Sequence, residues 1–225
     1  AANATLDMDE NVKYITRDES PHHYGWTKAI AEQTVLRADN TGDGRPLRTI
    51  AVRPCSAIFG ADDRHLLEPM LKMGRTLLPH NGGAGVVDFI PVMNVVYGHL
   101  LAEKKLRDVP EVVGGQAYCV TGRAMRMRDF VGLIDAMRPG GLVVVPTPRN
   151  LVIAVSYVVD LLTYFNVHVP GQVGLLTTAM VNYIDINYSF NCKKARAQLG
   201  YTPLYSVEQG MHHAIAEWQR GEYVL

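Results

Sequence analysis

The sequence predicts an α/β fold built on a parallel sheet, and three observations carry that reading. Residues 21–38 form a run of Ala, Lys, Glu, Gln and Leu with no Pro or Gly between Gly25 and Gly42, as a helix requires. A connector rich in turn residues follows over 38–46, and then Leu47–Pro54 reads as a buried strand with a β-branched centre, stopped by Pro54. Helix, short connector and strand make half of a βαβ unit, whose strands lie parallel. With 225 residues, 48% of them hydrophobic and 20% charged, the chain has material for one large domain or two small ones around a sizeable core.

The remaining elements follow in order. Residues 1–20 are polar and read as an irregular loop. Ser20 and Pro21 mark the start of the first helix, a hydroxyl to cap free N–H groups and then a residue whose missing N–H costs nothing there. After Pro54, residues 54–63 form a loop at the carboxyl end of a strand, the usual ligand position in open α/β sheets. Residues 66–78 read as a helix with Leu66, Leu67, Met70, Leu71, Met73 and Leu77 on its apolar side. Asn81–Gly85 fits no phosphate-loop spacing and reads as an ordinary turn. Val86–Val95 leads into a helix over about 93–106 that ends on Lys104, Lys105 and Arg107, charges that suit a helix C-terminus.

Gln116–Thr121 is a second strand, 127–137 an amphipathic helix ended by Pro139-Gly140-Gly141, and Val143–Pro146 a short apolar strand. Leu151–Phe165 is the most apolar stretch. It is shorter than the ~20 residues a bilayer span needs and contains Asp160. A core helix or the wall of an apolar pocket is favoured, and an interfacial helix against a membrane is the alternative. A short helix after Lys193 closes on Gly200 and Pro203, and Ser206 caps a last helix over 207–219.

One spacing carries chemistry. Tyr24 and Lys28 are four apart, so a helix sets them on one face, with Ala31 and Val35 continuing the stripe. A lysine ammonium beside a phenol favours phenolate, lowering a pKa that is about 10 in an unperturbed tyrosine. Tyr24 would then serve as a general base toward an alcohol, with a nicotinamide as the hydride acceptor. The same spacing also arises by chance on surface helices, so context has to support it.

Several classes are excluded or disfavoured. A formal net charge of zero, with no arginine-rich or aromatic-interleaved stripe, gives no nucleic-acid signature. Cys55, Cys119 and Cys192, odd in number and in apolar surroundings, make no disulfide framework and suit a reducing compartment. The pairs His22-His23 and His212-His213 lack metal-ligand spacing and read as surface residues, so no metal site is expected. The first ten residues lack an initiator Met, a basic n-region and an apolar h-region, and read as chain interior.

Taken together, the motifs resemble the extended short-chain dehydrogenase/reductases, and within them the 3β-hydroxysteroid dehydrogenase family. Tyr24-Gly25-Trp26-Thr27-Lys28 is similar to the catalytic Tyr-x-x-x-Lys. Leu47–Pro54 with Ile58-Phe59-Gly60 resembles the Leu-Arg-Pro…Ile-Tyr-Gly loop that contacts nicotinamide. Asp88-Phe89 and then Asn94-Val95-Val96-Tyr97-Gly98-His99-Leu100-Leu101-Ala102 resemble the steroid branch, most of all its sterol-4α-carboxylate 3-dehydrogenases. Gly115–Tyr118 and Lys194–Pro203 continue the match, which runs from about Asp18 to Trp218.

The resemblance implies the C-terminal part of an NAD(P)-binding Rossmann-like doubly wound parallel sheet plus a smaller, mainly helical substrate-binding region. Residues 1–60 would hold the catalytic helix and following strand of an incomplete Rossmann fold. Residues 61–225 would form the substrate-binding region, with 86–138 returning a strand and a helix to the Rossmann sheet. Tyr24 and Lys28 are implied as catalytic residues that also contact the cofactor, NAD or NADP. Main-chain groups near Pro54, Ala57 and Phe59 would orient the nicotinamide, and Tyr97, Leu67 and Met70 would contact a steroid or sterol.

The implied reaction is oxidation of a 3β-hydroxyl, with loss of CO2 if the substrate carries a 4α-carboxylate. A homodimer, peripheral membrane contact through 151–165, and a place on the cytoplasmic face of the endoplasmic reticulum or in the cytoplasm go with it. His99 is expected to be structural. The chain departs from the family in lacking the Gly-x-x-Gly-x-x-Gly fingerprint and a serine-bearing strand before the tyrosine helix. A fragment of a longer product is therefore expected, with no turnover from these residues alone. The alternatives are another extended reductase or sugar-nucleotide epimerase, and a non-catalytic remnant.

Overall fold

The computed structural model describes residues 5–19, 23–44, 46–55, 57–79, 85–169, 173–174, 176–178, 181 and 187–221. Helix α1 spans His23–Arg37, and its expected start at Ser20-Pro21 lies outside the described residues. Its connector closes as a small loop, with Asn40 N–H donating to Leu47 O at 2.7 Å and Leu47 N–H to Thr41 O at 2.8 Å. Leu47 is thereby used in the connector, and strand β2 is Ile50–Pro54. Strand β6, Gln116–Val120, pairs with β2 in parallel, with Ile50 opposite Gln116 and Pro54 opposite Val120.

The β2 strand is half-buried along its whole length, less than the sequence implies. Among the described residues β6 is its only strand neighbour. The outer edge of β6 is instead capped by charged side chains. Cys119 N–H donates to Glu10 Oε1 at 2.7 Å, and Lys194 Nζ donates to Ala117 O at 2.9 Å.

A second sheet centres on β5, Val86–Pro91, which pairs in parallel with β3 (Ala57–Phe59) and β9 (Tyr188–Phe190) and antiparallel with β7 (Arg123–Arg126). The N-terminal segment is not an irregular loop throughout. Thr5–Met8 forms β1, parallel to β9, because Ser189 Oγ accepts the Asp7 N–H and Asn191 Nδ2 donates to the carbonyls of Asp7 and Met8.

The helix expected over 66–78 is α2, Leu67–Met73, and it stops early. Gly74 adopts φ 61°, a left-handed cap open to glycine, and its N–H bonds to Met70 O. The chain then turns into β4, Arg75–Pro79, which pairs in parallel with β8, Val143–Thr147. The Asn81–Gly85 turn lies, except for Gly85, outside the described residues.

Helix α3, Val92–Asp108, packs on β2, β5 and β6. A single turn α4, Pro110–Val113, leads into β6, and α5 is Met127–Met137. Helix α6 spans Arg149–Tyr164, and a π-helical turn over Ala195–Leu199 closes on Gly200. Helix α7, Val207–Arg220, starts at Ser206 with a capping box, the Ser206 hydroxyl accepting from Gln209 N and the Gln209 side chain accepting from Ser206 N.

Two cores result. One joins β3, β5, α2, α5 and α7 around Phe59, Phe89 and Phe130, whose rings stack and meet edge to face. The other joins α3, β6 and the π-helical turn around Ile90, Tyr118, Leu199 and Tyr201. Asn94, fully buried, ties α3 to the entry of α7 by donating to Tyr205 O and accepting from Tyr205 N. The three cysteines are buried and unpaired.

The α6 helix does not behave as a core helix. It buries Val152, Ser156 and Val159, while Leu151, Tyr157, Val158, Leu161, Tyr164 and Phe165 face outward. Asp160 is explained by local bonding: its carboxylate accepts from the Thr178 N–H at 3.2 Å and from the Thr178 hydroxyl. Among the described residues, no helix is long and apolar enough to cross a membrane.

Candidate active site

The site starts from α1. Tyr24 is 73% exposed, Lys28 is exposed, and Lys28 Nζ stands 5.7 Å from the centre of the Tyr24 ring, as their four-residue spacing dictates. Among the described residues neither the Tyr24 hydroxyl nor the Lys28 ammonium has a hydrogen-bond partner. A phenol and an ammonium side by side and uncommitted are open to hydroxyl groups of ligands.

What holds this helix is polar. No residue of α1 is buried. Glu32, one turn beyond Lys28, takes both arms of the Arg53 guanidinium, Nε at 2.9 Å and Nη2 at 2.7 Å. Tyr14 donates its hydroxyl to Glu32 at 2.6 Å, and Arg53 Nη1 donates to Glu10 O at 3.0 Å. Burial opposes the Glu32 charge, yet the Arg53 fork and the Tyr14 hydroxyl hold its carboxyl below the ordinary value. Burial likewise opposes the Arg53 charge, and Glu32 more than offsets it.

Arg53, Glu32, Tyr14 and Glu10 were not singled out from the sequence. The available signals were an arginine inside a strand otherwise fit for burial, and a carboxylate extending the Tyr24–Lys28 stripe.

The other expected site residues divide. Pro54 ends β2, and Ala57 opens β3 opposite Phe89, so the Pro54–Phe59 segment links the two sheets. The Phe59 side chain lies in the aromatic core, leaving only its main chain for the expected role. Leu67 is 0% exposed within that core, and its side chain is a packing element, not an open pocket surface. Met70 is half-buried on the margin of the same core. Tyr97 rests beside Tyr201, with ring centres 6.4 Å apart, on the other core. His99 Nδ1 lies 2.8 Å from Val95 O, a bond within its own helix. His23, His212 and His213 are exposed, His22 lies outside the described residues, and no described cluster of His, Cys, Asp and Glu could hold a metal.

Residues 1–134 match the 3-beta hydroxysteroid dehydrogenase/isomerase family. The chain belongs to that family. A short-chain dehydrogenase/reductase family 42E member 1 of Danio rerio is 32% identical over 213 residues, covering 89% of this chain and 54% of the relative. A 3beta-hydroxysteroid-dehydrogenase/decarboxylase of Arabidopsis thaliana is 28% identical over 222 residues, 94% of this chain and 48% of the relative. The erg26 sterol-4-alpha-carboxylate 3-dehydrogenase, decarboxylating, of Schizosaccharomyces pombe is 30% identical over 200 residues, 86% and 56%. The chain thus spans about half the length of these curated relatives.

Solved structures share the fold at lower identity. PA4631, a nucleoside-diphosphate-sugar epimerase from Pseudomonas aeruginosa, superposes with a TM-score of 0.62 at 18% identity, covering 96% of this chain and 61% of that one. RMD from the same organism, solved with NADPH, gives 0.57 at 15% identity, covering 96% and 65%. These place the chain in the Rossmann-like α/β class.

Proposed function

We propose that the chain carries the reacting half of an NAD(P)-dependent dehydrogenase that oxidises the 3β-hydroxyl of a steroid or sterol. The observation behind this is the Tyr24–Lys28 pair, without a hydrogen-bond partner among the described residues, on a helix whose Glu32 is bonded to Arg53 of β2. The family and a relative named for a 3β-hydroxysteroid support the substrate class, and a solved structure of like fold holding NADPH supports the cofactor.

The residues present fit the nicotinamide end of such a cofactor, because an open ammonium and an open phenol suit a ribose diol and an alcohol. When bound, the nicotinamide supplies a hydride acceptor. Lys28 would hold the ribose and place positive charge beside the phenol. Tyr24 would accept the proton of the substrate hydroxyl while the hydrogen on the same carbon leaves as hydride. Main-chain groups of Pro54, Ala57 and Phe59 would orient the carboxamide side. Met70, half-buried at the margin of the aromatic core, would contact the substrate.

If the substrate carries a 4α-carboxylate, oxidation yields a β-keto acid that loses CO2 readily. The names of the Arabidopsis and fission-yeast relatives support that step. We assign residues 1–60 to the incomplete Rossmann fold and 61–225 to the substrate region, with 86–138 returning a strand and a helix to the Rossmann sheet; the pairing of β6 with β2 supports that return. The outward apolar face of α6 supports peripheral contact with a lipid surface, where such a substrate resides.

The test is incubation of the native polypeptide with a 3β-hydroxysteroid and NAD+ or NADP+, followed by absorbance of the reduced nicotinamide. Reduction that depends on both reactants supports the proposal. Epimerisation of a UDP-sugar with no steroid oxidation would replace it with the epimerase reading.

A further inference from the structure

The geometry points to Arg53 as the positioning residue of the Tyr24–Lys28 pair, acting through Glu32 to set the rotation of α1. The inference rests on the dehydrogenase reading of that pair and adds a residue to it.

Apolar packing normally fixes how a helix is turned about its axis, because one stripe is buried against a neighbour. Among the described residues none of α1 is buried, so the apolar contacts of this chain alone fix its rotation weakly. Tyr24, Lys28 and Glu32 follow one another at four-residue steps along a single face. Among the described residues Glu32 is the one of the three that is held, by a bidentate fork whose side chains are each 17% exposed. A fork with two parallel bonds fixes direction as well as distance, which a single lysine contact does not.

Arg53 is also placed where such control has an effect. It immediately precedes Pro54, so the residue that grips the helix belongs to the strand that presents the Pro54–Phe59 segment. Its remaining contacts, Nη1 to Glu10 O at 3.0 Å and Nη2 to the Tyr14 hydroxyl at 3.2 Å, bind the segment that leads into α1. The Arg53 guanidinium further sits 5.5 Å from the Tyr14 ring centre. One side chain therefore joins the helix bearing the base, the approach to that helix, and the loop expected to meet the nicotinamide. Thr49 Oγ donates to Val35 O at 2.9 Å, a second tie three residues beyond Glu32, and the Arg17 guanidinium stands 5.7 Å from the Trp26 ring near the Tyr24 end.

The test compares Arg53→Met, Arg53→Lys and the double variant Arg53→Met/Glu32→Met in the native polypeptide. Removing one partner strands a buried charge and can unfold the chain, whereas replacing both by apolar side chains is often neutral. The double variant is thus the deciding one. The proposal expects it to keep the parent melting temperature while kcat for 3β-hydroxysteroid oxidation falls on the order of 10- to 100-fold and KM stays within about threefold. Arg53→Lys is expected to recover only part of the loss. A double variant with parental kcat would overturn the assignment, because a purely structural pair is restored by any well-packed substitute.

If the parent itself gives no turnover, the dehydrogenase reading fails and hydrogen exchange decides the clamp. The double variant should then exchange the amides of residues 27–35 about tenfold faster than the parent, with those of β6 unchanged. Equal exchange in α1 overturns it.

Discussion

The Asp88 carboxylate accepts the backbone N–H of Phe190 at 2.7 Å from a position that is 1% exposed. Burial pushes its carboxyl up from 3.8 to about 6, against the lowering effect of that hydrogen bond. A carboxyl raised in the folded state keeps its proton there while the unfolded chain has already lost it. Stability from this group is therefore full below about pH 4, falls as pH rises, and is gone above about pH 6, a span of roughly 3 kcal/mol. Asp88→Asn retains an oxygen for Phe190 and cannot ionise. Urea unfolding should show the variant losing roughly 1–2 kcal/mol less than the parent between pH 5 and pH 8. Identical pH profiles would contradict the assignment.

Gly210 of α7 lies against the Pro91 ring, where an added Cβ would stand 2.3 Å from Cγ and 2.6 Å from Cβ. Alanine normally improves a helix interior by up to about 1 kcal/mol. Here the proline ring cannot swing aside, so overpacking wins, and Gly210→Ala should destabilise the protein by about 1–3 kcal/mol in thermal or urea unfolding. A stabilised variant would show that α7 sits farther from the Pro91 end of β5.

The reciprocal bonds of Ser206 and Gln209 satisfy free N–H groups at the start of α7. Ser206→Ala is expected to cost about 1 kcal/mol, read as a lower urea midpoint with an unchanged slope.

The outward face of α6 makes a separate prediction about location. Replacing Tyr157 and Leu161, both more than half exposed, with Gln should leave the melting temperature unchanged and weaken sedimentation with phospholipid vesicles. Unaltered vesicle binding would remove α6 from the proposed contact.

Elements with strong local signals were readable from the chain. The α5 helix is amphipathic between clear stops, and the α7 start is written in Ser206 and Gln209. Misreadings came where tertiary pairing overrode a local pattern. The apolar period across 66–78 suits a helix, but Gly74 in the left-handed region ends α2 and pairing with β8 draws the next five residues into β4. The short strands β1, β3 and β9 are too brief for a period of their own and exist through their partners.

Hydropathy also misled for α6, since it reports how apolar a stretch is and not which way it faces. Asp160 is engaged by Thr178, and the buried Ser156 spends its hydroxyl on the Ile153 carbonyl of its own helix, so both polar groups are satisfied while the apolar stripe lies outside. At the site, Tyr24 and Lys28 follow from spacing along one helix. The Arg53–Glu32 fork joins residues 21 apart on different elements, and no local pattern reports such a contact.

The central claim is that Tyr24 takes the proton of a 3β-hydroxyl whose carbon gives up hydride. Its most direct test uses the native polypeptide, NAD+ or NADP+, and a 3β-hydroxysteroid bearing deuterium at carbon 3, with mass spectrometry of the nicotinamide. The account predicts deuterium on the ring with the parent, and a rate about 100-fold or more lower with Tyr24→Phe at unchanged melting temperature. Transfer at the parental rate by Tyr24→Phe, or a parent that reduces nicotinamide without acquiring deuterium, would contradict it.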